Sequence, residues 1–109
     1  MSETRLLLRG TLELLILKSL ALEPLHGVGI ARRIHQITQS AIQVSFGSLF
    51  PALHRMEEKG WLLAEWRTSD HNRRAKYYAL TRSGRKQLRE EERQWSLVVK
   101  ALSTALRST

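Results

Sequence analysis

Apolar residues recur along most of this chain at a helical period, and one stretch changes to a strand-like period. The first apolar stretch, 6–22, predicts a helix that must end before Pro24, because proline cannot continue a helix and disfavours helical backbone at the residue before it. A second helix is predicted over 27–39. Three isoleucines form its predicted inward stripe: Ile30, Ile34 and Ile37.

The segment SFGSLFPALHRMEEKGWL, residues 45–62, predicts a third helix that contains a proline. Its apolar stripe consists of Leu49, Leu53 and Met56, and Gly60 follows where a helix C-cap belongs. If Ser48 is the N-cap, Pro51 falls in the first turn, where backbone N–H groups have no partner within the helix. If Ser45 is the N-cap, Pro51 lies one turn deeper and should bend the helix slightly.

After this helix the sequence is typical of a β-hairpin followed by a long helix. WLLAEWRT (61–68) and KYYALT (76–81) are rich in aromatic and aliphatic residues and predict two strands. The polar segment SDHNRRA between them predicts the turn, and the neighbouring Tyr77 and Tyr78 should lie on opposite faces. Thr81 is the expected N-cap of the last helix, which should continue to about Arg107.

Three helices followed by a hairpin is the order of elements in a winged helix-turn-helix. The predicted fold class is therefore mainly α with a small β-hairpin, completed by a long C-terminal helix. The sequence contains no repeats or low-complexity linkers, which indicates one compact domain. Within this domain, residues 1–82 are predicted to form a winged helix DNA-binding part and residues 83–109 a C-terminal dimerisation helix. In this fold the third helix enters the major groove and the wing holds the backbone or the minor groove.

The composition narrows the classes of partner. Lys and Arg number 18 against 10 Asp and Glu in 109 residues, which gives a net charge of +8. Small basic proteins usually bind a polyanion, either nucleic acid or an anionic membrane surface. The apolar run at 12–22 is interrupted by Glu13 and Lys18 and is too short to span a bilayer, and the N-terminus does not resemble a signal peptide. We expect a cytoplasmic protein that does not bind membranes.

The sequence offers no pattern typical of an enzyme or a cofactor site. It contains no cysteine, which excludes disulfides, cysteine-ligated zinc and thiol catalysis. The histidines have no paired metal spacing, and HGVGIA lacks the third glycine and preceding strand of a dinucleotide-binding loop. We expect no catalytic residue, no metal and no cofactor. The four histidines are His26, His35, His54 and His71.

Candidate DNA-binding residues lie in the third helix and in the hairpin. Small and hydroxyl-bearing residues at the start of a helix allow close approach to phosphates and bases, and an arginine can bind a guanine edge or a phosphate. On the helix the candidates are Ser45, Gly47, Ser48, Pro51, His54 and Arg55. In the wing they are Arg73, Arg74 and Lys76, in a basic tip with Asp70 as the nearby acid. The alternative is that the charged hairpin end is only exposed to solvent. DNA contact is favoured because the hairpin follows a recognition-type helix in a basic chain.

The last helix carries a heptad-like apolar seam with a polar interruption at Glu92. The seam consists of Leu88, Trp95, Val99, Leu102 and Leu106. Packing against the chain's own first helix explains the late leucines poorly. We therefore expect a homodimer interface that also includes the partner's Leu6 and Leu7.

Three segments together resemble the phenolic-acid-response regulators, the PadR-like family of bacterial transcription factors. They are RGTLELLILKSLALEPLHGVGIARRI, GSLFPALHRMEEKGWL and RRAKYYALTRSGRKQL, and they cover nearly the whole chain. The resemblance implies a homodimeric winged helix repressor of the form with one long C-terminal helix. The family usually has tyrosine where Phe50 stands, so a phenolic hydroxyl contact to DNA is missing here. It often has tyrosine and glutamate at the positions of Val28 and Gly29, a departure that loosens the start of the second helix without changing the expected fold. A tryptophan on a dimer helix most often anchors the packing, and this is the first interpretation of Trp95. In some relatives, aromatic residues at the dimer seam line a pocket for flat apolar effectors, so the resemblance also makes Trp95 a candidate pocket residue.

The function predicted from these observations is sequence-specific regulation of transcription. A homodimer would bind double-stranded DNA at a pseudo-palindromic operator, with repression as the expected outcome. The alternative is a winged helix module that binds protein and whose basic surface only confers solubility. A membrane-surface protein is less well supported, because no helix combines an apolar stripe with a face rich in Lys and Arg.

Overall fold

The computed structural model describes residues 2–68 and 70–108, and the side chains from residue 10 onward within those ranges. The elements follow in the order α1 (Ser2–Ser19), β1 (Leu25–His26), α2 (Gly27–Ile37), α3 (Phe46–Glu58), β2 (Leu62–Thr68), β3 (Arg74–Leu80) and α4 (Arg82–Arg107). The predicted order of three helices, a hairpin and a long helix is confirmed, with β1 as an additional short strand.

A single hydrophobic core joins the helices to the hairpin. Ile16 and Leu17 of α1 are fully buried and contribute to this core. The buried side chains of the core are Leu12, Ile16, Leu17, Leu20, Ile30, Ile34, Val44, Leu49, Ala52, Leu53, Met56, Leu62, Tyr78, Leu80 and Leu88. Burial of this apolar surface is the main favourable contribution to folding, at roughly 25 cal/mol per Å².

The first helix is shorter at its C-terminus than the sequence predicted. α1 ends at Ser19, whose hydroxyl donates to the carbonyl of Ile16 at 2.7 Å. The N–H of Leu20 then divides its hydrogen bond between the carbonyls of Ile16 and Leu17, at 3.2 Å each. The predicted end at Leu22 is therefore wrong, because the chain already leaves the helix through these tighter hydrogen bonds. Leu22 itself is 83% exposed.

The second helix buries two of its three predicted isoleucines. Ile30 and Ile34 are fully buried, but Ile37 is 44% exposed, so its predicted inward position is wrong. Ile37 is the last helical residue, and the backbone of Gln39 and Ser40 has positive φ angles of 51° and 69°. The chain therefore turns away from the helix two residues earlier than the predicted end at residue 39.

The third helix begins at Phe46 with Ser45 as its N-cap, which decides between the two predicted starts. Pro51 consequently lies inside the helix, where it cannot donate the i to i−4 hydrogen bond to the carbonyl of Gly47. The predicted slight bend stays a prediction. At the other end, Gly60 adopts a φ of 82° and its N–H donates to the carbonyl of Glu57 at 3.0 Å, an arrangement that ends the helix sharply.

The hairpin is part of a three-stranded antiparallel sheet in the order β1-β3-β2. β2 and β3 pair from Leu62 opposite Leu80 to Thr68 opposite Arg74, which confirms the predicted wing. The predicted start of its second strand at residue 76 is wrong, because Arg74 and Ala75, predicted in the turn, already pair with β2. β1 pairs with the other edge of β3 and was not predicted, because a two-residue strand has no detectable alternation. Tyr78 is buried and Tyr77 is half-buried against His26, with 5.2 Å between ring centroids.

The last helix is fixed against the start of the wing. Thr81 is its N-cap, as predicted, and accepts the N–H of Gly84 at 2.9 Å. The Thr81 hydroxyl also donates to the carbonyl of Gly60 at 2.6 Å. A Cβ at Gly84 would lie 2.1 Å from the carbonyl oxygen of Trp61, so only glycine permits this approach of α4 to the chain that enters β2.

Candidate nucleic-acid interface

The exposed face of α3 begins with hydroxyl groups. The Ser45 hydroxyl oxygen accepts the N–H of Ser48 at 3.2 Å and lies 3.2 Å from the Ser48 hydroxyl. Ser45, Gly47 and Pro51 are exposed, and Ser48 is half-buried. The opposite face is buried in the core by Leu49, Ala52, Leu53 and Met56. α3 thus has one face fixed by the fold and one face available to a partner.

The two basic candidates on α3 differ in their surroundings. His54 is exposed, and its Nε2 lies 3.4 Å from the carboxylate of Glu58 one turn later. Arg55 is half-buried, and among the described residues it has no carboxylate within ion-pair distance. The guanidinium of Arg55 therefore retains its capacity to bind a base edge or a phosphate.

The arginines of the wing lie among aromatic side chains. Arg73 and Arg74 are exposed, and the guanidinium carbon of Arg74 lies 5.4 Å from the centroid of the Trp66 ring. Arg67 lies 5.2 Å from the Tyr77 ring and 2.7 Å from the carboxylate of Glu65. Such aromatic rings pack against the aliphatic chain and the guanidinium plane of an arginine and leave its charge intact. For Arg67, the carboxylate of Glu65 also compensates the charge.

Lys76 occupies a different environment from the one predicted. It lies in β3, as predicted, but its Nζ is 3.4 Å from a carboxylate oxygen of Glu57 in α3, so the prediction that Asp70 is the only nearby acid is wrong for this residue. Burial raises the pKa of the adjacent Tyr78 phenol, an effect that the Lys76 charge opposes and the Glu57 charge reinforces. Glu57 compensates part of the positive charge at the base of the wing.

A groove of about 910 Å³ separates the wing from the start of α2 and from α3. Its lining is His26, Gly27, Val28, Arg32, Phe50, Trp66, Asp70, His71, Arg73, Arg74, Ala75, Lys76, Tyr77 and Tyr78. The groove therefore brings the predicted wing residues together with Phe50 of α3. His26, Val28 and Arg32 were not predicted as site residues, because they are distant in sequence from both the third helix and the wing.

Two phenylalanines of α3 remain exposed beside this groove. Phe46 is 49% exposed and Phe50 is 46% exposed, and their ring centroids lie 5.7 Å apart. Sequence reasoning noted Phe50 only as a replacement for tyrosine and did not consider Phe46. The signal that could have found them is their i, i+4 spacing at the edge of the buried stripe, where Phe46 precedes Leu49 by three residues.

The first half of α4 packs against α1 of the same protomer. Leu88 is buried in the core, and the side chain of Lys18 in α1 pairs with Glu92 at 2.8 Å. Trp95 is half-buried, and its ring lies against Gly10, where a Cβ would be 3.5 Å from Cζ2. Leu88 and Trp95 therefore already contact their own protomer.

The second half of α4 extends beyond these contacts and exposes apolar side chains. Val99 and Leu102 are each 56% exposed and Leu106 is 84% exposed. Val98, at 44%, lies next to them on the same helix. The predicted partner residues Leu6 and Leu7 lie outside the side chains that the structure describes.

Among the described side chains, residues 10–68 and 70–108, no three His, Asp or Glu residues are close enough together to hold a metal ion. Within residues 2–68 and 70–108, no helix combines the length and the apolar character that crossing a membrane requires.

These features define a winged helix-turn-helix protein, in which α3 is the exposed helix of the DNA-binding motif and β2–β3 is the wing. The chain belongs to the PadR-like family of transcriptional regulators, whose family model matches residues 16–90. It is a transcriptional regulator of this family, and solved structures similar to it include other PadR-like transcriptional regulators.

Comparisons with individual proteins agree with this assignment. The chain is 34% identical to the transcriptional regulator Rv3488 of Mycobacterium tuberculosis over 85 residues, which cover 78% of this chain and 76% of that protein. A PadR family transcriptional regulator from Eggerthella lenta superposes with a TM-score of 0.79 at 30% identity, over 99% of this chain and 92% of its own. A PadR-like transcriptional regulator from Bacillus cereus reaches a TM-score of 0.82 at 27% identity, over 95% and 99% of the two chains.

Proposed function

We propose that this regulator is a sequence-specific repressor that binds a pseudo-palindromic operator in double-stranded DNA as a homodimer. Residues 1–82 would form the DNA-binding part and residues 83–109 the dimerisation helix of one compact domain. The observation that carries the proposal is the groove in which Phe50 of α3, the start of α2 and the wing arginines lie together. One strand of the DNA backbone would pass along this groove, between the two elements that contact the grooves of the duplex.

In this proposal α3 supplies the contacts to base edges. Its hydroxyl groups at Ser45 and Ser48 can accept from or donate to bases and phosphates, and Arg55 can bind the two acceptors of a guanine. Gly47 and Pro51 keep the exposed face narrow, which permits close approach of the helix to the floor of the major groove. His54 would contact the backbone, in competition with its ion pair to Glu58.

The wing supplies contacts to phosphates. A net charge of +8 and two exposed arginines, Arg73 and Arg74, favour association with DNA of any sequence through release of counterions. Lys76 should contribute less than these two, because the carboxylate of Glu57 lies 3.4 Å from its ammonium.

Dimerisation is supported by the second half of α4. Val99, Leu102 and Leu106 form an apolar seam that the described part of the protomer leaves exposed, and a second copy of the helix would cover it. Two-fold symmetry would place two α3 helices at half-sites about 34–36 Å apart, or at a multiple of this spacing. Leu6 and Leu7 of the partner complete the proposed interface.

The contact between Trp95 and Gly10 is the place where an effector could act. A flat apolar or aromatic molecule that inserts beside Trp95 would separate α4 from α1 and change the angle between the two DNA-binding parts of a dimer. Quenching of tryptophan fluorescence in a Trp66→Phe, Trp61→Phe variant, which retains Trp95 alone, would detect such binding.

The proposal is tested by titrating the purified protein against promoter fragments and random DNA at several salt concentrations. We expect tighter binding to a subset of fragments and a steep decrease of affinity with salt. Equal, salt-dependent binding to all DNA would support only a non-specific contact. Absence of DNA binding would instead favour the alternative, a winged helix module that binds protein.

A further inference from the structure

The two exposed phenylalanines of α3 lie at the edge of its buried stripe, where that stripe meets the small and polar residues of the exposed face. Phe46 and Phe50 expose 49% and 46% of their surface, although each is large enough to fill a core position. They are one helical turn apart, and their rings contact each other at a centroid distance of 5.7 Å with an interplanar angle of 41°. The apolar surface they form together is continuous with the proposed DNA-binding face.

Phe50 is held in place by the start of α2. A Cβ at Gly27 would lie 2.7 Å from two atoms of the Phe50 ring, so the ring packs directly on the glycine backbone. Gly27 itself is buried. Phe46 contacts this fixed ring and remains half exposed, so its ring is supported on one side without being covered.

We propose that Phe46, positioned by Phe50, contacts the methyl group of a thymine in each half-site of the operator. This inference rests on the proposed function and specifies the base that one part of α3 recognises. In the major groove, the C5-methyl of thymine is the apolar group that a base pair presents, and phenylalanine is among the side chains that contact it.

The apolar character of the Phe46 ring argues against contact with the other bases. A phenyl ring placed over the amino groups or carbonyl oxygens of the remaining bases would remove their water without offering a hydrogen bond. Guanine, adenine and cytosine opposite Phe46 would therefore be disfavoured. The hydroxyl groups of Ser45 and Ser48 lie on the same turn and can satisfy the polar edges of the neighbouring base pairs.

The experiment uses duplexes selected by the full-length protein from a random DNA library. At each thymine of the selected motif, thymine is replaced by deoxyuridine, which pairs identically but lacks the methyl. At one position per half-site we expect affinity to fall about four-fold, the equivalent of the ~0.8 kcal/mol of one buried methylene-sized group. Phe46→Ala should weaken binding to the thymine duplex and remove the difference between thymine and deoxyuridine, as a double-mutant cycle requires.

Two further variants test whether the thymine preference depends on the two phenylalanines in particular. Leu22→Ala removes another exposed apolar side chain, outside the winged face, and should preserve the thymine preference. Phe50→Ala should weaken the preference, because Phe46 then has no ring to support it. Since Phe46 is half exposed, Phe46→Ala should fold normally, which circular dichroism will verify.

Three results would overturn the inference. The first is specific binding that deoxyuridine leaves unchanged at every position. The second is a thymine preference that Phe46→Ala retains. The third is a Phe46→Ala variant that sediments differently but keeps the preference for thymine over deoxyuridine. This result would mean that the two phenylalanines mediate contact between copies of the chain. In each of these the proposed function survives, whereas failure to bind any DNA would remove both.

Discussion

The exposed face of α3 and the wing carry different chemistry, and Phe50 is the residue of α3 that lines the groove beside the wing. α3 presents two hydroxyl groups, two phenylalanines and Arg55, which has no carboxylate partner among the described residues. The wing presents exposed arginines beside aromatic rings, with Arg74 against Trp66. The helix therefore offers varied groups that can distinguish bases, and the wing offers charge that can bind any phosphate.

This difference suggests a division of roles. Contacts to phosphates supply affinity that depends on salt and ignores sequence, whereas contacts to base edges supply the preference for one site. If the division holds, variants in the wing should weaken all DNA binding together, and variants in α3 should change the preference. Dimerisation should matter to both, because it doubles each set of contacts.

The largest effect should come from the dimer helix. Leu102→Asp with Leu106→Asp places charges on the apolar seam, and we expect a monomer whose operator affinity is roughly 10²–10⁴-fold lower, because the second half-site is no longer tethered. Sedimentation and operator titration measure the two effects. Leu22→Asp, at a site 83% exposed, is the control for a surface charge. If the double variant remains a dimer, α4 is not the dimer interface.

The next effect concerns the wing. Arg73→Ala with Arg74→Ala should lower the slope of log affinity against log salt by about 0.9 for each phosphate that is no longer bound, up to about 3.6 over two subunits. Operator and random DNA should weaken together. Arg89→Ala with Arg107→Ala removes the same charge from exposed positions of α4 and should change the slope less. An unchanged slope in the wing variant would mean that the wing does not bind the backbone.

A smaller and more local effect is expected from Arg55→Ala. If Arg55 binds a guanine with two hydrogen bonds, its removal should cost about 1–3 kcal/mol on the best operator and relax the preference at one base pair. Arg55→Lys keeps the charge but not the planar pair of donors, so it should recover affinity without recovering preference. Titration of operators with single base changes distinguishes this from a phosphate contact, which would weaken all sequences equally.

The smallest effect should come from Lys76. Because Glu57 lies 3.4 Å from its ammonium, Lys76→Ala should lower the salt slope less than Arg74→Ala does. Glu57→Gln should in turn raise affinity for random DNA slightly, because Lys76 is then uncompensated. A Lys76→Ala effect as large as that of Arg74→Ala would show that the ion pair opens when DNA binds.

Features set by local sequence could be predicted well. Thr81 as N-cap, Gly60 as helix terminator and the alternation of Tyr77 and Tyr78 all follow from chemistry within a few residues. The choice between Ser45 and Ser48 as N-cap stayed open, because both side chains can accept an N–H and Pro51 is compatible with either start.

Features that depend on distant residues could not be predicted in the same way. Lys76 and Glu57 belong to different elements, and their ion pair arises when β3 packs beside α3. β1 exists only because β3 offers it an edge to pair with. The exposed position of Ile37 depends on where α2 stops, which the left-handed residues Gln39 and Ser40 decide.

The central claim is that this surface recognises a specific, two-fold symmetric DNA sequence. The most direct measurement is repeated selection of duplexes from a random library by the purified protein, followed by sequencing. We predict an enriched inverted repeat whose half-sites are about 34–36 Å apart or a multiple of that distance. Recovered duplexes without a shared motif, or with a single asymmetric one, would contradict it.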